Sequence, residues 1–150
     1  MMKKNDGMIA LGMAWTVIFA VMSFYWAMGG TLGVRSLGGS IYEMSLNPTP
    51  SFVLMVWLTG FAKLFGLALL WSLHAKWRKP VIPKILYFMT KAAGFLLFIY
   101  GLLNFITISL SAWDILNFDL DAYATFWRLA FWEPFWMIGG VFYFFAAKRI

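Results

Sequence analysis

Cysteine is absent from the 150 residues, and histidine occurs once, at His74. A chain without thiols forms no disulfide, thiolate metal site or iron–sulfur cluster, and does no thiol redox chemistry. A single histidine excludes a bis-histidine haem held within one chain. Charge is scarce too: 12% of the residues are charged, against 63% hydrophobic and 21% aromatic. A soluble domain is roughly half apolar and about a quarter charged. So few polar groups cannot cover a water-exposed sphere, so lipid must supply part of the solvent. The length suits one unit, residues 1–150, and not two domains.

What the chain has instead is long apolar runs. Four of them predict membrane-spanning helices at approximately 8–28, 52–73, 85–112 and 123–147, each near or above the roughly 20 residues that a bilayer core requires. The first run follows a basic start, as a signal peptide would, but a signal core is only about 7–15 residues long. This one is longer and ends in Phe24, Tyr25 and Trp26, which read as an interfacial aromatic belt. Gly29, Gly30, Gly33, Gly38 and Gly39 loosen the first loop, and Asn47, Pro48 and Pro50 close it. A short interfacial helix fits around Ile41 to Leu46. The expected architecture is all-α: an integral-membrane bundle of four transmembrane helices.

The net charge of +6 becomes informative once it is placed along the chain. Lys3, Lys4, Lys76, Arg78, Lys79, Lys84, Lys148 and Arg149 fall on one side of the expected membrane. Arg35, Glu43, Asp114, Asp119 and Asp121 fall on the other. Basic residues gather in short cytoplasmic loops, so both termini are expected inside. The basic residues then form a collar against the membrane, and nucleic acid is not an expected partner. The lipid bilayer is, together with a homo-oligomer or an unidentified membrane protein.

Helices in lipid associate through small residues and polar contacts. Each run carries one such stripe at helical spacing: Gly12, Thr16, Ala20 and Ser23; Thr59, Gly60, Lys63 and Gly66; Lys91, Gly94, Gly101 and Asn104; Ala130, Glu133, Trp136 and Gly140. The ionised members need more than close packing, because a charge in hydrocarbon costs at least a few kcal/mol. Counting from the outer side, Lys63 lies roughly 16 Å deep and Glu133 roughly 12 Å deep. The two are therefore expected to meet in the interior. Arg128 sits nearer the outer surface and can snorkel or pair with Asp119, Asp121 or Glu133. Arg128 and Glu133 are five apart, a spacing that does not share one face of an α-helix. Lys91 can snorkel to the headgroups. Pro134 frees the carbonyl of Ala130 beside the Glu133 carboxyl, a place for a hinge or a small polar pocket. The candidate buried polar site is thus Glu133, Lys63, Asn104, Arg128 and Lys91.

Other constellations are thin. Asp121 can cap the last helix or, with Asp119, hold a divalent cation. Gly30 to Arg35 lacks the lysine of a phosphate loop. No Ser/His/Asp set assembles, because His74 lies across the membrane from the acidic loop. No catalytic, cofactor-binding or metal residue is assigned, and no cofactor is expected.

FYWAMGG at Phe24 to Gly30 resembles the YWALGG-like signature that ends the first helix in a family of small bacterial integral membrane proteins of unknown function. The resemblance continues at Tyr100, Gly101, Asn104 and Phe105 and returns at Glu133, Pro134, Phe135, Gly139 and Gly140. It implies four helices in a bacterial cytoplasmic (inner) membrane, and it supplies no activity. Three functional classes are open. One is a small transport or ligand-binding protein with a buried Glu133/Lys63 site. Another is a non-catalytic structural or accessory subunit whose charges specify helix packing. The third, an enzyme acting on lipid, ranks below both because no nucleophile–base pair is visible.

Overall fold

The computed structural model describes residues 4–147, with side chains from Asp6 onward. Lys3, the Lys4 side chain, Lys148 and Arg149 lie outside the described residues. Among those described, the chain is all-α with no strand. Helix α1 is Lys4–Ala27, α2 is Gly39–Leu46, α3 is Pro50–Ser72 and α4 is Val81–Ala112. A last rod, Ala122–Ala146, joins α5 (Ala122–Trp127), a π-helical turn (Arg128–Trp132) and α6 (Glu133–Ala146). Helices α1, α3, α4 and the last rod are long and apolar enough to cross a membrane. They also leave large apolar side chains exposed along their outer faces, Ile18, Phe65, Phe88 and Phe145 among them.

The helix ends follow local chemistry. Thr49 caps α3 by accepting the Phe52 N–H, and Pro50 stands in the first turn, where a missing N–H costs nothing. Asp121 caps α5 through the Ala124 N–H at 2.7 Å. This is one of the two roles its sequence position allowed. Helix α4 starts at Val81, four residues before the expected 85, because Pro83 falls in the first turn, whose N–H groups have no helical partner. At 32 residues α4 is about 48 Å long, more than a bilayer's hydrocarbon thickness of about 30 Å.

The FYWAMGG stretch builds the exit from α1. Gly29 has φ 93°, a left-handed conformation that suits glycine. Tyr25 folds over Gly30, Trp26 donates its indole N–H to the Leu32 carbonyl at 2.8 Å, and the Leu32 N–H reaches the Tyr25 hydroxyl at 3.2 Å. The sequence suggests an interfacial belt for these rings; in the structure their polar ends fasten the first loop. That loop then forms a short 3-10 turn, Val34–Ser36, and the short helix α2, which covers the stretch expected around Ile41 to Leu46.

Contact runs in the order α3, α1, α6, α4. Trp15 of α1 stands at the centre. Its ring packs on Phe19, Phe135, Trp136 and Tyr143 and lies flat against Gly139, and its N–H donates to the Phe135 carbonyl at 2.9 Å. Thr16 and Tyr143 share a hydrogen bond at 2.8 Å beside Gly66 of α3. Gly94 and Gly101 of α4 lie against the backbone of α6, and Gly140 lies against that of α4. The glycine stripes thus serve close packing. The ring of helices is left open on one side: α3 and α4 make far less contact with each other than α3 makes with α1 or α4 with α6.

A methyl group at Gly140 would lie 2.7 Å from the Gly94 carbonyl oxygen and 2.8 Å from the Phe98 Cα, atoms that cannot rotate away. Gly140→Ala is expected to destabilise the protein by about 1–3 kcal/mol. Thermal unfolding in detergent checks this, with Gly7→Ala as the control, since nothing lies within 4 Å of that position. Equal midpoints for the two variants would refute the close approach of α4 and α6.

Candidate functional site

Pro134 sets the geometry of the site. It has no N–H to give, and its ring crowds the carbonyl four residues back. The chain answers with the π turn before it, in which the Glu133 N–H bonds to the Arg128 carbonyl, five residues back. In an α-helix, residues five apart are separated by roughly 140° around the axis. The wider π turn brings them onto one face. Arg128 then reaches Glu133 with two donors, Nη2 at 2.6 Å and Nε at 2.8 Å, both to Oε1. Of the partners open to Arg128 it meets Glu133, and the expectation that a spacing of five does not share one helix face is corrected here by the π turn before the proline.

Glu133 is 1% exposed and the Arg128 side chain 20%. The carboxylate is therefore buried with its counter-ion, as a charge away from water must be. Its other oxygen, Oε2, is buried and takes no hydrogen bond. Beside the pair, Trp132 donates its indole N–H to the Ser36 hydroxyl at 2.8 Å. That bond ties the first loop down over the π turn.

Lys63 does not pair with Glu133. Its ammonium donates to the Ser23 hydroxyl at 2.7 Å and sits 4.1 Å above the Phe19 ring. No carboxylate among the described residues lies within 4 Å of it. The physical reason is competition: Arg128 occupies the carboxylate from within the same rod, so Lys63 turns to α1. Both groups nevertheless line one cavity of about 840 Å³. Its back wall is α1 and the last rod, with Trp15, Thr16, Phe19 and Ser23 facing Arg128, Trp132, Glu133, Trp136 and Tyr143. Its lips are α3 and α4, and Ile41 and Met44 of α2 close one end.

The other two candidates lie elsewhere. Asn104 is absorbed by its own helix, donating to the Tyr100 carbonyl at 2.9 Å. Lys91 stacks on Phe144 at 3.8 Å, a cation–π contact with the last rod. Neither lines the cavity. Sequence reasoning passed over Ser23 as a partner for Lys63, and Thr16 and Tyr143 as a polar pair. Ser23 and Thr16 were visible on the α1 stripe, but which neighbour they would meet depended on helix order. Among the described residues no group of His, Asp and Glu is placed to hold a metal ion.

The chain belongs to the family described as protein of unknown function (DUF3995), whose profile matches residues 16–143. Every ionised residue of the cavity lies within that span. No curated protein and no solved structure matches the chain.

Removing one partner of a buried ion pair leaves an uncompensated charge, at a cost of roughly 3–5 kcal/mol. Arg128→Met is expected to lose stability on that scale, and Arg128→Met with Glu133→Gln to recover most of it. Lys63→Met with Glu133→Gln is expected to be additive within about 0.5 kcal/mol, as for uncoupled sites. Unfolding in detergent measures both cycles. Strong Lys63–Glu133 coupling with none for Arg128 would reverse the assignment.

Proposed function

We propose that the protein is a small ligand-binding or transport protein of a bacterial cytoplasmic membrane, starting from a family without an assigned activity. Both termini face the cytoplasm in this reading. Its support is the basic loop from Lys76 to Lys84 at one end of the helices and Glu43, Asp114, Asp119 and Asp121 at the other. The YWALGG-like stretch and the bacterial setting belong to the same reading.

One observation carries the binding role. A cavity of about 840 Å³ opens between α3 and α4 and holds Lys63, Arg128 and Glu133 in a wall that is otherwise mostly apolar, with a few hydroxyls such as Thr16, Ser23 and Thr59. Small-molecule sites are typically concave, about 300–1,000 Å³ in volume, and mostly apolar with a few placed polar groups. An opening between helices gives a membrane-dissolved molecule a sideways entrance. A one-sided cleft in so short a chain does not enclose a pathway across a bilayer, so transport in this reading requires an oligomer.

The accessory-subunit reading has one observation in its favour. The Arg128–Glu133 pair is made within one rod, as a device for packing alone would be.

Native mass spectrometry of the protein released from lipid nanodiscs separates the two. The binding reading expects a bound small molecule on the wild type that is lost in Ala62→Trp, which fills the cleft from α3. An accessory subunit would give no bound small molecule and the same spectrum for both proteins.

A further inference from the structure

The charges in the cleft do not balance. Lys63 and Arg128 bring two positive charges and Glu133 one negative, and Arg128 is committed to Glu133. Lys63 is left as a half-buried cation that faces the cavity with one hydrogen bond, to Ser23. An ammonium has three N–H donors; Ser23 takes one and the Phe19 ring covers part of the group, so donor capacity is left for whatever fills the space. A cation held in apolar surroundings calls for a counter-charge.

The rest of the wall limits what that counter-charge can be. The Thr16 hydroxyl is engaged with the Gly12 carbonyl and Tyr143, and the Thr59 hydroxyl with the Val56 carbonyl. Beyond Lys63, the remaining partners in the wall are few, chiefly Glu133 Oε2 and the Arg128 N–H groups not bonded to Glu133, so a head with many polar atoms would bury several unsatisfied, which is unfavourable. A compact, singly charged head suits the site. The lips carry Phe65 and Leu96, both largely exposed, and a tail leaving between α3 and α4 would lie along them.

We propose that the cleft binds a long-chain carboxylate of the fatty-acid type, its carboxylate on Lys63 Nζ and its alkyl chain running out between α3 and α4. This rests on the ligand-binding reading above and names its ligand class. Lys63 is the residue that selects charge, and Arg128 and Glu133 neutralise each other behind it.

Trp15, Trp26, Trp132 and Trp136 line the cavity, so a brominated ligand in the cleft will quench their fluorescence. The test uses the full chain in nanodiscs and three probes with the same dibrominated C18 chain, ending in a carboxylate, an alcohol or a trimethylammonium group. Displacement by the matching unbrominated compound separates the cleft from bulk lipid. The carboxylate is expected to bind at least about tenfold tighter than the alcohol, a difference of about 1.4 kcal/mol. Lys63→Met is expected to erase that preference and Lys63→Arg to keep it. Should Lys63→Met fail to fold, the three-probe comparison on the wild type decides alone. Equal binding of alcohol and carboxylate, or tightest binding of the ammonium, would overturn the carboxylate assignment and leave the cleft a binding site. Absence of displaceable quenching by all three probes on folded protein would overturn both.

Discussion

A carboxylate away from water must be neutralised close by, and here the neutralising group comes from the same rod of helix. Pro134 removes a backbone donor, and the chain in front of it widens into a π turn. That turn rotates Arg128 onto the face of Glu133, and the guanidinium places two donors on one oxygen. With the acid already matched, no other helix has to supply a base to it. Lys63 is then free to bind Ser23 and to face the cavity. The glycine contacts on either side of this turn hold the rod in place: Gly101 lies against the Glu133 carbonyl, and Gly139 against Trp15.

The open side of the ring depends on the same arrangement. Helices α4 and α6 approach until backbone meets backbone, and α1 seats Trp15 and Thr16 against α6. Helix α3 is drawn to α1 by Gly60 beneath Phe24 and by the Lys63–Ser23 bond. Nothing comparable joins α3 to α4, whose facing residues include Met55, Phe65, Met89 and Leu96. Both lips mix large side chains, Phe65 and Leu96 among them, with small ones such as Ala62 and Ala92, and the backbones stay apart across the cleft. The first loop, fastened by Tyr25, Trp26 and Ser36, closes one end.

The four apolar rods were legible in the sequence because length and hydropathy suffice for that; two starts were missed by four residues, at Val81, where Pro83 sits in the first turn, and at Lys4, where a polar turn precedes the apolar run. The glycine stripes were legible as packing surfaces, since spacing alone puts Gly94 and Gly101 on one face. The ion pair was legible only as one option for Arg128, beside snorkelling and pairing with Asp119 or Asp121. Spacing rules for charged residues assume 3.6 residues per turn, and the π turn breaks that assumption between Arg128 and Glu133. The signal for it was present in Pro134, whose position beside Glu133 suggests a hinge or a small polar pocket and not a π turn. Similar depth from one side suggested Lys63 for Glu133, but depth fixes only one coordinate, and helix order fixes the others. Asn104 and Lys91 also stood in the candidate site, with headgroup snorkelling as the other role for Lys91. Asn104 is satisfied by its own helix backbone and Lys91 by a neighbouring ring, and such local partners leave no mark in residue spacing.

The central claim is that Glu133 is paired with the arginine five residues before it and not with the lysine of α3. Dipolar-recoupling solid-state NMR on protein in lipid, with the Glu133 carboxyl carbon labelled against arginine and lysine side-chain nitrogens, measures this directly. The account predicts a strong coupling from the Arg128 guanidinium, lost in Arg128→Met, and a weak one from Lys63. A dominant coupling to the Lys63 nitrogen, or none to either residue, would contradict it.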